Sequence, residues 1–376
     1  FFVVKPFPSK GRVFFCLNPE YVFRGGLTNG YFAGECMEYS SVVGVVLAAG
    51  KGTRMKSDSP KVLHEAFFSP MIHHVLNALQ PLFLGKNIVV TGHQHQLVEE
   101  ALREYPLSFV HQSQQLGTGH AVLVCERELR SHKGPVLILC GDTPLVRTET
   151  LCQFLHAHVG SASLLTVMTT TIATPDNYGR IVSDEHGNIV KIVEEKDATF
   201  AERGIREINA GIYCVDAQFL LDALHRVGTD NMQGEIYLTD IVAIATGDGV
   251  HVHKFSCPDS EEILGVNSRR ELAQAHAVLQ RRYLDVLMES GVTLIQPEAV
   301  TIEKTVTIGK DSVIYPNTSL TGLCNIGSGV RIDSFVKIHD CAIGDCVHIG
   351  SFSHLQQTNV PAWTTVASHS VDIKMS

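Results

Sequence analysis

The sequence lacks a hydrophobic run long enough to cross a membrane and lacks any long run of basic residues. Its longest apolar stretch, Val42 to Gly50, is far shorter than the roughly 20 residues of a membrane helix. The 376 residues include 30 basic and 39 acidic side chains, which gives a net charge of −9. Because basic residues are scattered, a protein that binds the phosphate backbone of nucleic acid is disfavoured. Neither a membrane nor a nucleic acid is therefore expected as a partner.

Closely spaced cysteines are also missing, although the chain has ten. None forms a Cys-x-x-Cys pair, and the closest two are Cys341 and Cys346. The first 36 residues hold no apolar segment of the kind that secretory signals use. Free thiols in a reducing cytoplasm are therefore expected. The 19 histidines include the pair His93 and His95, but no cysteine or carboxylate completes a zinc-ligand spacing, so a zinc site is disfavoured.

Short β-rich runs alternate with helical periods from about Val42 to Ala245. This alternation is typical of a mostly parallel sheet that helices cover on both faces. The predicted strands are Val42–Leu47, Asn87–Val90, Val136–Leu139, Leu164–Thr169 and Ile208–Val215. The predicted helices are Met71–Leu82, Gln96–Glu104, His120–Leu129 and Glu149–His158, followed by a long helix from Ser268 to Ser290. An antiparallel hairpin is predicted from Gly179–Ser183 and Ile189–Val193.

After Thr301, aliphatic residues recur every six positions. A left-handed parallel β-helix has this period, because each side of its triangular coil takes about six residues and points one side chain inward. The aliphatic positions are Ile302, Ile308, Ile314, Leu320, Ile326, Ile332 and Ile338, followed after a slip of one by Ile343, Ile349 and Leu355. The pattern predicts about three to four coils.

A glycine-rich loop follows the first predicted strand directly, with the sequence Leu47-Ala-Ala-Gly-Lys-Gly-Thr-Arg-Met55. Small residues let backbone N–H groups approach a polyphosphate closely. The spacing is neither that of a dinucleotide fold nor that of a P-loop NTPase. Arg54 and Lys61 add two cations, which suits phosphoryl or nucleotidyl transfer. The alternative is a plain turn between a strand and a helix, with solvated basic residues.

Together with this loop and Pro60-Lys61, seven further segments occur in an order that resembles one known family. They are residues 112–121, 141–145, 177–181, 193–198, 207–212, 233–240 and 265–269. From about Val42 to Leu355 the chain resembles sugar-1-phosphate nucleotidyltransferases. Within them it resembles the N-acetylglucosamine-1-phosphate uridylyltransferase half of the bacterial GlmU enzymes. The resemblance implies a Rossmann-like α/β domain with a mostly parallel sheet, followed by a short left-handed β-helix.

Asp142 follows a predicted apolar strand, at the edge of the sheet where ligands bind in parallel folds. A carboxylate that faces a triphosphate is a natural Mg²⁺ ligand. The resemblance implies that Asn267 supplies a second metal-binding oxygen, although Asn267 would also suit the N-cap of the helix that follows. It further implies that Arg54, Lys61 and Asp142 are the catalytic residues.

The resemblance also implies which residues bind the substrates. Gln112, Gly117 and Thr118 match the uracil-binding segment, and an amide side chain presents the donor and acceptor that uracil requires. Gly179, Glu194 and Asn209 match the sugar-binding positions. The other substrate-binding positions that follow from the matched motifs are Leu47, Ala48, Ala49, Gly50, Gly141, Tyr178, Lys196, Glu235, Tyr237 and Thr239.

The implied reaction is Mg²⁺-dependent uridylyl transfer from UTP to N-acetylglucosamine 1-phosphate, in the cytoplasm, toward peptidoglycan and lipopolysaccharide. One alternative is the same reaction with a different sugar or nucleotide, and another is a catalytically silent scaffold. The coil region matches no acetyltransferase motif, so no acetyltransferase activity is expected. Family β-helices associate side by side, which allows a homotrimer here, although so short a coil also allows a monomer.

The expected organisation is a leader in residues 1–40, a nucleotidyltransferase domain in 41–266, a connecting helix in 267–291 and the β-helix in 292–376. Nine aromatic residues crowd into the first 36 positions. We interpret these residues as upstream sequence before a natural start at Met37, and the alternative is a lid or a membrane-associating arm. Where the family usually has Gly-Lys-Pro-Met, this chain has Phe68-Ser69-Pro70-Met71, so one basic group near the site is missing.

Overall fold

The computed structural model describes residues 39–373, which belong to one compact unit. The leader that we interpret in residues 1–40 lies, apart from its last two positions, outside the described residues. The strands before the coil are β1 (Val43–Ala48), β2 (Glu65–Ala66), β3 (Ser69–Pro70), β4 (Lys86–Thr91), β5 (Ser108–His111), β6 (Pro135–Cys140), β7 (Leu165–Thr171), β8 (Arg180–Ser183), β9 (Ile189–Val193), β10 (Glu207–Asp216) and β11 (Val252–Ser256).

The described helices alternate with these strands. They are α1 (Met71–Leu79), α2 (His95–Ala101), α3 (Thr118–Leu123), α4 (Glu126–Leu129), α5 (Thr148–Ser161), α6 (Phe200–Arg203), α7 (Ala217–Arg226), α8 (Asp240–Gly247) and α9 (Arg269–Glu289). Short 3-10 helices span Thr53–Met55, Lys61–Leu63, Gln80–Leu82, Ser260–Ile263 and Pro297–Ala299.

A nine-stranded mixed sheet forms the first half, with the central order β11-β7-β10-β6-β1-β4-β5. β1 pairs in parallel with β4 and β6, and β4 pairs in parallel with β5, as the sequence pattern predicts. β10 runs antiparallel to β6 and β7, which the pattern does not predict. β8 pairs with β9 as the predicted antiparallel hairpin and joins the sheet beside β10.

Helices cover both faces of this sheet, which explains why its strands are apolar. Val45 and Val46 point to opposite faces of β1, and both are fully buried. The core on the side of Val46 includes residues of α1 and α5, and the core on the side of Val45 includes residues of α3, α7 and α8.

Three predicted helices are wrong in part, and one of them, predicted over Gln96–Glu104, ends at Ala101. The helix predicted over Met71–Leu82 ends at Leu79 and continues as a 3-10 turn, because Pro81 has no N–H to donate to a longer helix. The helix predicted over His120–Leu129 is interrupted between α3 and α4, where Cys125 has a ψ of 2° and leaves the helical region.

The β2–β3 hairpin turns at Phe67 and Phe68, whose φ angles are 47° and 64°. Positive φ is unfavourable for a bulky residue and persists only where packing holds it. Here Phe67 is fully buried among residues of α9, and its N–H donates to a ring nitrogen of His276 at 3.1 Å. The segment that departs from the family pattern therefore joins the sheet domain to the long helix.

The coil consists of fourteen short strands in three parallel sheets, each strand pairing with the one a turn later. They are β12 (Thr293–Leu294), β13 (Thr301–Ile302), β14 (Thr307–Ile308), β15 (Val313–Ile314), β16 (Ser319–Thr321), β17 (Asn325–Ile326), β18 (Arg331–Ile332), β19 (Lys337–His339), β20 (Ala342–Ile343), β21 (His348–Ile349), β22 (His354–Gln356), β23 (Asn359–Val360), β24 (Thr365–Val366) and β25 (Val371–Ile373). Within the described residues four turns are complete and a fifth is begun, which is at the upper end of the predicted three to four coils.

The slip in the sequence period is a shorter corner of the coil. Ile308 pairs with Ile326 across an 18-residue turn, whereas Ile326 pairs with Ile343 across 17 residues. The six-residue pattern runs only from Ile302 to Leu355, and strands β12 and β23–β25 lie outside it but within the β-helix predicted for residues 292–376.

The eight cysteines between residues 39 and 373 are free thiols. Burial raises the pKa of Cys125 and of Cys140 to about 12, so both stay protonated at neutral pH. Among the residues that the structure describes, no helix is both long and apolar enough to cross a membrane.

Candidate active site

A pocket of about 250 Å³ opens where β1 and β6 end, beside the glycine-rich loop. The carboxyl ends of adjacent parallel strands meet at this edge of the sheet, which is where such folds bind ligands. The lining residues are Leu47, Ala48, Gly50, Gly52, Thr53, Arg54, Lys61, Val62, Asp142 and Asn267. Seven of them are predicted site residues, while Gly52, Thr53 and Val62 are not, although two of these three belong to the loop motif.

The glycine-rich loop turns at Gly52, which has a φ of 60°. A Cβ atom at this position would lie 2.6 Å from the Cβ of Lys61, so only glycine lets the loop lie against that lysine. Gly50, in contrast, faces open space. The following 3-10 helix leaves Arg54 exposed, and its guanidinium donates to the amide oxygen of Asn177 at 3.3 Å.

Lys61 joins the two predicted metal ligands. Its ammonium, on a side chain that is 11% exposed, contacts the carboxylate of Asp142 and donates to the amide oxygen of Asn267 at 2.6 Å. Asp142 lies 81 residues and Asn267 lies 206 residues from Lys61 in the sequence. The fold therefore brings Asp142 and Asn267 together around the positive charge of Lys61.

The alternative role of Asn267 as the N-cap of α9 is wrong. Ser268 is the N-cap, and its hydroxyl accepts from the N–H of Glu271. The backbone N–H of Asn267 donates to the carboxylate of Glu271 at 2.7 Å. Because the neighbouring serine caps the helix, the amide oxygen of Asn267 is left for the site.

Tyr178 holds the segment that carries Asn267. The N–H of Gly265 donates to the hydroxyl of Tyr178 at 3.2 Å, and the N–H of Val266 donates to the carbonyl of Asp142 at 2.9 Å. Burial raises the pKa of Tyr178, so its hydroxyl stays protonated. These two hydrogen bonds together hold the segment that precedes Asn267 against Tyr178 and Asp142.

The donor set fits a hard divalent cation. A carboxylate and an amide oxygen are ligands that Mg²⁺ accepts together with water and substrate phosphates. Asp142 and Asn267 supply these oxygens, and the Lys61 ammonium demonstrates that a positive charge is accommodated between them. Within residues 39–373, no three His, Cys, Asp or Glu side chains gather as a metal-binding group.

The three predicted sugar-binding residues lie on β10 or directly beside the ends of β8 and β9. The N–H of Asn209 donates to the carbonyl of Gly179 at 2.9 Å, and Glu194 follows the last residue of β9. The side-chain amide of Asn209 donates to the buried hydroxyl of Tyr213 at 2.6 Å. The Thr239 hydroxyl donates to the carboxylate of Glu194 at 3.0 Å. Burial raises the pKa of Glu194 despite this hydrogen bond.

The residues that match the uracil-binding segment form another cluster. Gln112 is 2% exposed, and its side-chain amide donates to the carbonyl of Gly117 at 3.2 Å. A Cβ at Gly117 would lie 2.4 Å from the carbonyl oxygen of Ile236, and the hydroxyl of Thr118 accepts from the N–H of Leu238. Gln112 therefore shapes this segment from inside, and its contact with a base stays a prediction.

The remaining polar candidates, Lys196, Glu235 and Tyr237, are held by hydrogen bonds to neighbouring side chains. The hydroxyl of Tyr237 donates to Asp197 at 3.2 Å, and burial raises its pKa to about 12. The ammonium of Lys196 donates to the side chain of Gln233. Glu235 is held through its backbone N–H, which donates to Asn231 at 3.1 Å.

Two predicted loop positions have supporting contacts. The N–H of Gly141 donates to the carbonyl of Leu47 at 2.9 Å, which joins the ends of β6 and β1. Ala49 is buried, and a Cβ at Gly92 would come within 2.8 Å of its side chain. Substrate contacts of Ala49 and Gly141 stay predictions.

Two family models match the chain. The model described as the MobA-like NTP transferase domain matches residues 44–182, which include the glycine-rich loop, Lys61 and Asp142. The model described as bacterial transferase hexapeptide (six repeats) matches residues 323–357, inside the coil, which is a left-handed parallel β-helix. The fold and the pocket thus define a nucleotidyltransferase.

Relatives of known name extend this similarity over most of the chain. The bifunctional protein GlmU of Desulfotalea psychrophila is 45% identical over 318 residues, which are 85% of this chain and 94% of the relative. Those of Pelobacter propionicus and Syntrophotalea carbinolica are each 44% identical over 86% of this chain and 70% of their own length. The chain belongs to the GlmU family.

Proposed function

We propose that the protein transfers a uridylyl group from UTP to N-acetylglucosamine 1-phosphate, which yields UDP-N-acetylglucosamine and pyrophosphate. The observation that supports this most directly is the contact of Lys61 with Asp142 and Asn267 beside the glycine-rich loop. The resemblance of the ordered motifs to uridylyltransferases supports the choice of sugar and nucleotide.

The chemistry needs no general base on the protein. A phosphate oxygen of the sugar phosphate, already an anion at neutral pH, attacks the α-phosphorus of UTP. The bond to the bridging oxygen of the β-phosphate breaks, and pyrophosphate leaves. The protein contributes positioning and charge balance. Arg54 and Lys61 are the cations that we expect to balance the charge on the leaving pyrophosphate and the α-phosphoryl oxygens.

We expect Mg²⁺ to be the metal, held by Asp142 and Asn267. When bound, it supplies positive charge that neutralises phosphate oxygens. The oxygen-only pair favours Mg²⁺ over a metal that prefers nitrogen or sulfur ligands. Chelation with EDTA should abolish turnover, and added Mg²⁺ should restore it.

The decisive experiment measures pyrophosphate release over a panel of nucleoside triphosphates and sugar 1-phosphates. We expect the highest kcat/KM with UTP and N-acetylglucosamine 1-phosphate, and no release from an Asp142→Ala variant. A clear preference for another pair would favour a related nucleotidyltransferase. Absence of release with every pair, from a folded protein, would favour a silent scaffold. A separate arm with acetyl coenzyme A and glucosamine 1-phosphate is expected to yield no acetylation.

We further propose that the coil assembles three copies side by side and that the enzyme works in the cytoplasm, toward peptidoglycan and lipopolysaccharide. Phe335 and Phe352 are half exposed on the coil and stack with ring centroids 5.0 Å apart, which supports an interface there. The free cysteines support a reducing compartment. Light scattering at micromolar concentration should yield the mass of a trimer, and the mass of a monomer would contradict assembly.

A further inference from the structure

Arg180 is buried where β8, β9 and β10 meet beside the predicted sugar-binding residues. It begins β8, and it pairs with Val193 on β9 and with Ile208 on β10. The neighbours of these three residues, on the side of the site, are Gly179, Glu194 and Asn209. Arg180 therefore lies one register position farther from the site than Gly179, Glu194 and Asn209.

The side chain of Arg180 is 1% exposed and bonds to both flanks of the hairpin. Its guanidinium donates to the backbone carbonyl of Tyr178 and forms an ion pair with Glu195, with 2.5 Å between Nη2 and Oε2. Within the described residues, its buried Nε has no acceptor and Oε2 of Glu195 accepts no hydrogen bond, so Arg180 and Glu195 are joined by charge alone. One guanidinium thus connects the residue before Gly179 with the residue after Glu194.

Stability alone is a poor explanation for this buried charge. Taking a charge out of water is costly, and buried ion pairs can often be replaced by apolar side chains without loss of stability. The neighbouring Ile181 and Ile192 are apolar and buried in the same hairpin. What an apolar side chain cannot supply is a planar guanidinium that donates to one carbonyl and attracts a carboxylate at the same time.

We propose that Arg180 is a positioning residue for the sugar phosphate. By holding the carbonyl of Tyr178 and the carboxylate of Glu195, it sets the spacing between Gly179 and Glu194. No residue of the hairpin lines the pocket beside the glycine-rich loop. Arg180 reaches that pocket only indirectly, through Tyr178 and Gly265, so nucleotide binding should depend on it less than sugar-phosphate binding does. This inference rests on the proposed function, because it takes these positions as the sugar site.

The test compares Arg180→Met, Arg180→Lys and Glu195→Gln with a control on the same hairpin, Lys191→Met, which removes the ion pair of Lys191 with Glu202 (3.0 Å). The KM values for the sugar phosphate and for the nucleotide are measured separately, together with kcat and the melting temperature. Arg180→Met should raise the KM for the sugar phosphate about tenfold, as expected for one lost polar interaction. The KM for the nucleotide should change less than about twofold.

The conservative variants distinguish positioning from folding. Arg180→Lys keeps the charge without the planar guanidinium and should recover part of the affinity, and Glu195→Gln should shift the same KM in the same direction but less. If Arg180→Met does not fold, the two KM values of Glu195→Gln still test the proposal. Equal changes in both KM values, a lower melting temperature with unchanged KM values, or a matching effect of Lys191→Met would overturn the proposal.

A binding measurement separates this inference from the proposed function. Calorimetry compares the affinities for UDP and for UDP-N-acetylglucosamine, which needs no turnover. If the wild type shows no turnover but prefers the sugar nucleotide, and Arg180→Met loses that preference, the proposed reaction fails while the positioning role stands. If the preference is unchanged in Arg180→Met, the positioning role fails.

Discussion

The sheet domain and the coil bury their polar side chains in different ways. In the coil, buried hydroxyls donate to backbone carbonyls of the coil itself, as Ser312 does to Gly327 at 2.9 Å and Thr318 to Asp333 at 3.2 Å. In the sheet domain, buried polar side chains also pair with other side chains, as Thr239 does with Glu194 and Arg180 with Glu195 at the edge that carries the site.

From this difference we expect substitutions in the coil to affect stability and substitutions at the edge of the sheet to affect turnover. Each turn of the coil repeats the same local pattern, so a change there should affect the folding of the coil alone. The edge of the sheet joins residues that are far apart in the sequence, so a change there should affect turnover with little effect on unfolding.

The largest expected effect lies at the edge of the sheet. Asp142→Ala or Arg54→Ala should each lower kcat by about 10²–10³, as expected when one group that stabilises transition-state charge is removed. Because Arg54 is exposed, its removal should leave the melting temperature unchanged. Pyrophosphate release and thermal unfolding measure both quantities. Near wild-type turnover in both variants would refute the candidate active site. It would also refute the assignment of chemistry to the sheet domain and of stability to the coil.

The next effect concerns the coil. Ile332 is fully buried there, and Ile332→Ala should lower the free energy of unfolding by about 2–5 kcal/mol while kcat of the folded enzyme stays the same. The control is Leu323→Ala, since Leu323 is 77% exposed and its loss should cost less than about 0.5 kcal/mol. Urea unfolding measures the cost. A fall in kcat at temperatures where Ile332→Ala is folded would show that the coil affects turnover as well as stability.

A smaller effect is expected in the glycine-rich loop. Gly52→Ala introduces a Cβ at a φ of 60° and pushes it against Lys61, so about 1 kcal/mol of strain and roughly a tenfold loss of kcat are expected. Gly249→Ala is the matched control, because Gly249 also has a positive φ, of 74°, but a Cβ there meets open space and Gly249 does not line the pocket. Kinetics of the two variants side by side test this prediction, and equal losses would contradict it.

The smallest effect is the pH dependence of stability. Burial raises the pKa of Glu194 above 4.5 in the folded protein. Its contribution to stability is therefore full below about pH 4.5 and is lost as the pH rises through the folded-state pKa. Glu194→Gln removes this loss. The melting temperature of the variant minus that of the wild type should therefore be larger at neutral pH than at about pH 4.

Glu202 supplies a control of opposite sign. Hydrogen bonds from Thr199 lower the pKa of Glu202 to about 2. Its stabilising contribution is present above about pH 4.5 and fades as the pH falls toward 2. Glu202→Gln should thus be less stable than the wild type at neutral pH. Thermal unfolding across this range tests both variants, and parallel curves for Glu194→Gln and the wild type would disprove the Glu194 effect.

Local features of this protein are predictable from the sequence. The six-residue period identifies the coil, and the apolar run before Leu47 identifies the strand that presents the loop. Both follow from which face each residue must bury within a short segment. The interrupted helix at Cys125 and the antiparallel β10 depend on neighbours across the sheet, so the local pattern missed them.

Long-range features of the site were not predictable from spacing. Only the family resemblance could join Lys61 with Asn267, which lies 206 residues away. Asn267 and Ser268 are both good capping residues, so the sequence alone could not decide between them. No local signal indicates a hairpin turn at Phe67 and Phe68, because aromatic residues avoid positive φ unless a distant surface packs on them.

Helix α9 has a consequence for the order of events during synthesis. One end of it, at Ala275 and Leu279, covers the hairpin turn at Phe67, and the other end, at Leu284 and Leu287, enters the core of the coil. Protein domains begin to fold while the ribosome is still adding residues, from the N-terminus onward. Phe67 therefore lacks its contacts with α9 for more than 200 residues of elongation, and a nascent sheet domain exposes an aromatic surface during that time.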